Sequence, residues 1–138
     1  HMNESLLDSL IRIFPDVPFQ KLLGIEVVEV IAERAIVCLP FRPDLTGGNN
    51  TFHGGAISSL LDLTGALAAW SGHNPENGMR AATVSMTLNY LAAAQGKDII
   101  ATANVVKRGK ELIFSEVSIY EKESRKLIAN GSMIYRIT

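Results

Sequence analysis

The residues able to do chemistry cluster in one stretch: His53-Gly54-Gly55 and, nine positions after the histidine, Asp62, in an otherwise uncharged, largely apolar run to Gly72. A helix opening at the glycine pair carries unpaired backbone N–H groups and the positive end of its dipole, a setting that holds a developing oxyanion. Asp62 would be the only charge on a helix otherwise suited to burial, and buried acids are retained where they are paired or functional. It is therefore a candidate base or nucleophile.

The two parts of this site cannot meet within one chain. Gly54 and Asp62 lie roughly 12 Å apart along a helix axis, whereas groups acting on one carbonyl must each come within about 3 Å of its atoms. If both serve one reaction, a two-fold dimer with antiparallel central helices would bring Asp62 of one subunit to Gly54 of the other.

The run Asn49-Asn50-Thr51-Phe52-His53-Gly54-Gly55-Ala56-Ile57, with Asp62 after it and the later segment Thr83-Val84-Ser85-Met86-Thr87-Leu88-Asn89-Tyr90-Leu91, resembles the hotdog-fold acyl-CoA thioesterases of the phenylacetate-pathway, PaaI-like type. The resemblance extends from Phe19 to the C-terminus. It implies an α+β domain with an antiparallel sheet wrapped around a long central helix. It also implies a homodimer, or a dimer of dimers, with active sites at the subunit interface and a continuous joint sheet. The implied reaction is hydrolysis of an acyl- or aryl-CoA to free acid and CoA, with no metal or redox cofactor.

Within that resemblance Gly54 N–H polarises the thioester carbonyl, and Asp62 from the partner attacks it or activates water. Gly55 beside it lets the thioester approach the backbone closely. Thr83 matches the position where relatives carry a Ser or Thr that orients the water or carboxylate; the competing reading makes it one hydroxyl in a polar row with Ser85, Thr87 and Asn89. His53 is read as an N-cap that fixes the Gly-Gly turn, in preference to direct proton transfer. Relatives often carry Asn six residues before this histidine and Gly three before it, where this chain has Gly47 and Asn50. Asn50 or Asn49 is the candidate for the missing amide.

For the phosphates of coenzyme A the candidates are Lys107, Arg108 and Lys110, clustered in one turn, with Arg80 and Arg125 as outliers. Phe52 and Trp70 are read as acyl-pocket lining or plain core. Cys38, in a strand between Val37 and Leu39, is read as inert packing.

The elements that must position these groups follow from periodicity. Asn3 can cap a short amphipathic helix carrying Leu6, Leu7, Leu10, Ile11 and Phe14, broken by Pro15 and Pro18; residues 3–18 are thus a helical extension. A turn through Phe19 to Leu23 ends at Gly24. Ile25 to Ile31 and Arg34 to Leu39 read as a hairpin about Ala32-Glu33, and Phe41 to Thr51 as a loop. After the central helix, Pro75 to Gly78 form a turn. Ala81 to Leu91, Asp98 to Lys107, Leu112 to Glu121 and Leu127 to Ile137 then read as four strands, the first alternating an apolar with a polar face.

At 138 residues the chain reads as one domain, 1–138, with His1-Met2 set aside as an expression scar. Thirteen basic against fourteen acidic residues leave a net charge of -1, so no electrostatic footprint for nucleic acid follows. One cysteine permits no intrachain disulfide and fits a reducing cytoplasm. The N-terminus lacks the pattern of a secretory signal, and Asp62 argues against a membrane span through the apolar run. Only His53 and His73 remain beside one cysteine once the scar is set aside, which does not suit zinc. Two rival functions share the fold: an acyl-CoA-sensing module that does not cleave its ligand, and a dehydratase or hydratase acting on acyl thioesters.

Overall fold

In the computed structural model, which describes residues 4–138, the N-terminal segment holds two helices. Ser5 caps α1 (Leu6–Ile13), its hydroxyl accepting the Asp8 N–H at 3.1 Å; the expected cap, Asn3, lies outside the described residues. Leu7 and Leu10 turn toward the core, and Phe14 is buried just beyond the helix. The turn expected over Phe19 to Leu23 is instead a helix, α2 (Pro18–Leu23). Pro18 opens it, where the absent N–H would have had no partner, and Gly24 at φ +80° closes it in the left-handed region.

Strands β1 (Glu26–Ile31) and β2 (Arg34–Leu39) form the expected hairpin about Ala32 and Glu33. The expected loop from Phe41 to Thr51 contains a second, smaller hairpin, β3 (Thr46–Gly48) with β4 (Thr51–Phe52). Its turn residues Asn49 and Asn50 both take positive φ, 51° and 57°, a conformation asparagine tolerates and a two-residue hairpin turn requires.

The central helix α3 (Gly54–Ser71) follows, and then β5 (Ala81–Tyr90), β6 (Ile99–Arg108), β7 (Leu112–Glu121) and β8 (Leu127–Ile137). Six strands form one antiparallel sheet in the order β1-β2-β6-β7-β8-β5, with α3 against its inner face. Leu60, Leu61 and Leu67 of the helix are fully buried, as are Val37, Ala101 and Ile119 of the strands they face. This is the hotdog arrangement, α+β, with the helix wrapped by the sheet.

Two local features control how the helix and the last strands sit. At Gly65 the helix comes so close to β8 that an added Cβ would overlap the Met133 side chain. At the sheet's edge, β5 pairs with β8 on one side alone among the described residues, and its apolar Val84, Met86 and Tyr90 are exposed in the single chain. Pairing of β5 with β8 slips between Thr83 and Ser85, a bulge that breaks the alternation read from the sequence. Gly65→Ala should lower unfolding stability by about 1–3 kcal/mol, because a packed core accommodates an extra methyl only by displacing neighbours. Denaturant midpoints of the two proteins check this.

Candidate active site

His53, with φ -61° and ψ 139°, is the N-cap of α3, and its Nδ1 accepts the Gly55 N–H at 2.8 Å. Its carbonyl accepts the N–H groups of Ala56 at 2.9 Å and Ile57 at 3.2 Å. Gly54 N–H alone in this first turn meets no acceptor among the described residues. The helix start thus satisfies its neighbours and leaves one donor open, and that donor is the one the sequence pointed to. Gly55 is otherwise engaged: its N–H belongs to His53, and its carbonyl accepts the Ser58 and Ser59 hydroxyls at 3.0 and 2.7 Å.

The reasons for the two glycines differ. A Cβ on Gly55 would press on His53 Nδ1 at 3.0 Å, so this position is fitted to the cap. A Cβ on Gly54 would find Tyr90 no nearer than 3.4 Å, ordinary contact, and Gly54 is not at positive φ. Neither backbone conformation nor packing within the chain demands glycine at 54.

Asp62, half-buried on α3, accepts a hydrogen bond from the Thr83 hydroxyl, Oγ1 to Oδ1 at 2.6 Å. The β5 bulge makes this contact possible. Strict alternation would put Thr83 in one row with Ser85, Thr87 and Asn89; the slipped register frees it to turn toward α3, where Leu88 and Tyr90 also point. One carboxylate oxygen is thereby held, and Oδ2 is left without a partner among the described residues.

Beside the acid is a cavity of about 320 Å³. Phe14, Val17 and Gln20 of the N-terminal segment wall one side, and Trp70 and Tyr135 line it from α3 and β8. Trp70 Nε1–H donates to the Tyr135 hydroxyl at 3.2 Å. Burial pushes the Tyr135 phenol above its ordinary range; the Trp70 bond opposes this and the nearby Asp62 charge adds to it. Tyr135 therefore stays a neutral phenol at neutral pH.

Other sequence candidates fall elsewhere. Phe52 is core, 3% exposed and edge-on to Phe41 with ring centroids 5.3 Å apart, and does not line the cavity beside Asp62; Trp70 does. The backbones of Asn49 and Asn50 build the β3–β4 turn, the Asn50 carbonyl accepting Gly96 N–H at 2.9 Å and the Asn49 carbonyl accepting the Gln95 amide at 3.3 Å. Lys107 and Lys110 are exposed, but Arg108 is not a free cation. Its Nε donates to the Glu33 carboxylate at 2.9 Å and its Nη2 to the Ala69 carbonyl at 2.8 Å, tying the β1–β2 turn to the end of α3. Cys38 is 1% exposed and burial pushes its thiol up, in keeping with packing. The sequence reading missed Tyr135, which carries no local motif, and the hydroxyl of Tyr90, which donates to the Gly54 carbonyl at 2.8 Å. Tyr90 lay within the segment that carried the family resemblance, but its rank in an apolar row concealed its reach.

Among the described residues no three His, Cys, Asp or Glu side chains are grouped to hold a metal, and no helix is long and apolar enough to cross a membrane. The thioesterase superfamily model matches residues 49–128, from the β3–β4 turn to the start of β8. Acyl-coenzyme A thioesterase 13 of Homo sapiens is 32% identical over 115 residues, covering 82% of this chain and 80% of that protein. Acyl-coenzyme A thioesterase PaaI of Escherichia coli is 25% identical over 118 residues, covering 85% and 73%. The crystal structure of zebra fish thioesterase superfamily member 2 superposes with a TM-score of 0.84 at 29% identity, covering 98% of this chain and all of that one. With the family model spanning more than half of its length and the helix that bears Gly54 and Asp62 inside the match, this chain belongs to the thioesterase superfamily.

Proposed function

We propose that this chain hydrolyses acyl-CoA thioesters as a homodimer, each site combining the Gly54 end of one α3 with Asp62 and Thr83 of the other. The observation that carries the reading is the 2.6 Å bond from Thr83 to Asp62, which fixes one carboxylate oxygen and leaves the other available. The names of the relatives support the substrate class. The exposed apolar edge of β5 supports pairing of two copies there, since an uncovered edge strand of ten residues is a template for another strand.

In this reading the thioester oxygen points at Gly54 N–H while Asp62 of the partner subunit lies on the other side of the carbonyl. As a general base, Asp62 takes a proton from water as the water oxygen bonds to the carbonyl carbon. The charge that develops on oxygen is held by Gly54 N–H and the helix start. Collapse breaks the C–S bond, and the proton on Asp62 passes to the departing CoA sulfur, giving free acid and thiol. As a nucleophile, Asp62 instead forms a mixed anhydride with loss of the thiolate, and water then opens it. Both routes need the free Oδ2. Lys107 and Lys110 are the phosphate-contacting candidates, with Arg108 committed to Glu33 and Ala69. Both routes are written without a metal or redox cofactor, and a reducing cytoplasm suits the buried thiol of Cys38.

Thiol release across aryl, short, medium and long acyl-CoAs tests the activity. Asp62→Asn should lower kcat by about 10²-fold or more, with substrate binding kept and thermal stability level. A variant that cleaves at near the original rate and melts earlier would make Asp62 a structural partner; binding without release by the unaltered protein would make the chain a sensor. Two inactive chains, one altered at Gly54 and one at Asp62, should regain activity on mixing, since each mixed dimer holds one intact site; verified exchange without recovery would end the shared-site model. Neutralising Lys107 and Lys110 should raise KM far more than it lowers kcat, and a thioester truncated before the nucleotide should not notice the change.

A further inference from the structure

The first turn of α3 combines two features that pull against each other. Two consecutive glycines give the backbone the widest freedom of any residue pair, whereas an oxyanion donor works only when its direction is fixed before the charge develops. The structure shows what removes that freedom. The peptide between Gly54 and Gly55 is held at both ends: its N–H, on Gly55, goes to His53 Nδ1 at 2.8 Å, and its carbonyl, on Gly54, accepts the Tyr90 hydroxyl at 2.8 Å. The preceding peptide is held through the His53 carbonyl by Ala56 and Ile57. The Tyr90 ring lies along Gly54, with its Cε1 and Cζ at 3.5 Å from where a Cβ would be.

We propose that Tyr90 is a positioning residue for thioester cleavage, its hydroxyl clamping the Gly54–Gly55 peptide so that rotation about the Gly54 Cα is stopped and the N–H of the adjoining His53–Gly54 peptide keeps its direction before the substrate arrives. The inference rests on the thioesterase reading above. His53 supplies the other half of the clamp, which gives it an orienting role and leaves proton transfer to Asp62. Tyr90 does not touch the substrate. It sits on β5, the strand that also carries Thr83, so one strand fixes a donor through Tyr90 and an acid through Thr83. Across two subunits the two contacts serve different sites: Tyr90 acts in the site of its own Gly54, and Thr83 in the site of its own Asp62.

This division makes the proposal testable in a way that a merely structural role could not imitate. Tyr90→Phe keeps the ring and removes the hydroxyl, and as a homodimer it should lose about tenfold in kcat with KM little changed, the size expected of a small misplacement at the reacting centre. Two mixed dimers of identical overall composition then separate the possibilities. When a Y90F chain is paired with a D62N chain, the one live site joins an intact Tyr90–Gly54 end to an intact Asp62, and it should turn over at the rate of a wild-type site. When a chain carrying both changes is paired with a wild-type chain, the one live site contains the altered Gly54 end, and it should be about tenfold slower. Any loss of stability or of dimer formation is shared by the two arrangements and cancels. Equal rates in both, whether slow or fast, would overturn the positioning role. A wild-type chain paired with D62N serves as control at half the wild-type rate; if unaltered protein cleaves no acyl-CoA at all, the thioesterase reading falls and this inference with it.

Discussion

A straight α-helix cannot bring its ninth residue back to its first, and that constraint governs the whole molecule. Residues 54 and 62 share one unbroken helix, so a donor at the start and an acid in the middle remain roughly two turns apart whatever the rest of the chain does. A fold that uses both must supply a second copy of the helix. The proposed dimer would find that copy across β5, which stands at an edge with apolar side chains uncovered and carries the two hydroxyls bonded to Asp62 and to the Gly54 carbonyl. In that proposed dimer the same strand would connect assembly and chemistry.

The helix itself is held less by its own sequence than by what meets its ends. Its start is capped by His53 and braced by Tyr90; its far end is drawn to the β1–β2 turn through Arg108 and Glu33, with Glu33 N–H also bonded to Ser71 Oγ at 2.9 Å. Between these ends the contacts are almost wholly apolar, and at Gly65 they are as close as backbone and Met133 permit. Fixing the two ends of a buried rod fixes the height of every side chain along it, Asp62 included.

What the sequence made readable was whatever depends on local order. The strand limits of β7 and β8, the hairpin about Ala32 and Glu33, and a central helix opening at Gly54 and carrying Asp62 could all be taken from period and spacing. What it concealed depends on partners distant in the chain. Thr83 reads equally as an orienting hydroxyl and as one of a polar row, and what turns it toward Asp62 is a bulge, a property of two strands together. Arg108 reads as a surface cation until Glu33 and Ala69, remote in sequence, are placed beside it. Phe52 and Trp70 read alike, and only tertiary packing sends one to the core and the other to a cavity. The helix at Pro18 was signalled by its proline and Gly24, but six residues are too few for periodicity to declare.

The cavity beside Asp62 draws its walls from both inside and outside the stretch that the family model matches. Phe14, Val17 and Gln20 precede the span that defines the family, whereas Asp62, Trp70 and Thr83 lie within it. A lineage could lengthen, shorten or re-polarise that outer wall without disturbing the helix that bears Gly54 and Asp62. Under the proposed reading, residues that would set substrate range and residues that would carry the reaction then lie on separate stretches of the chain, and divergence in one need not endanger the other.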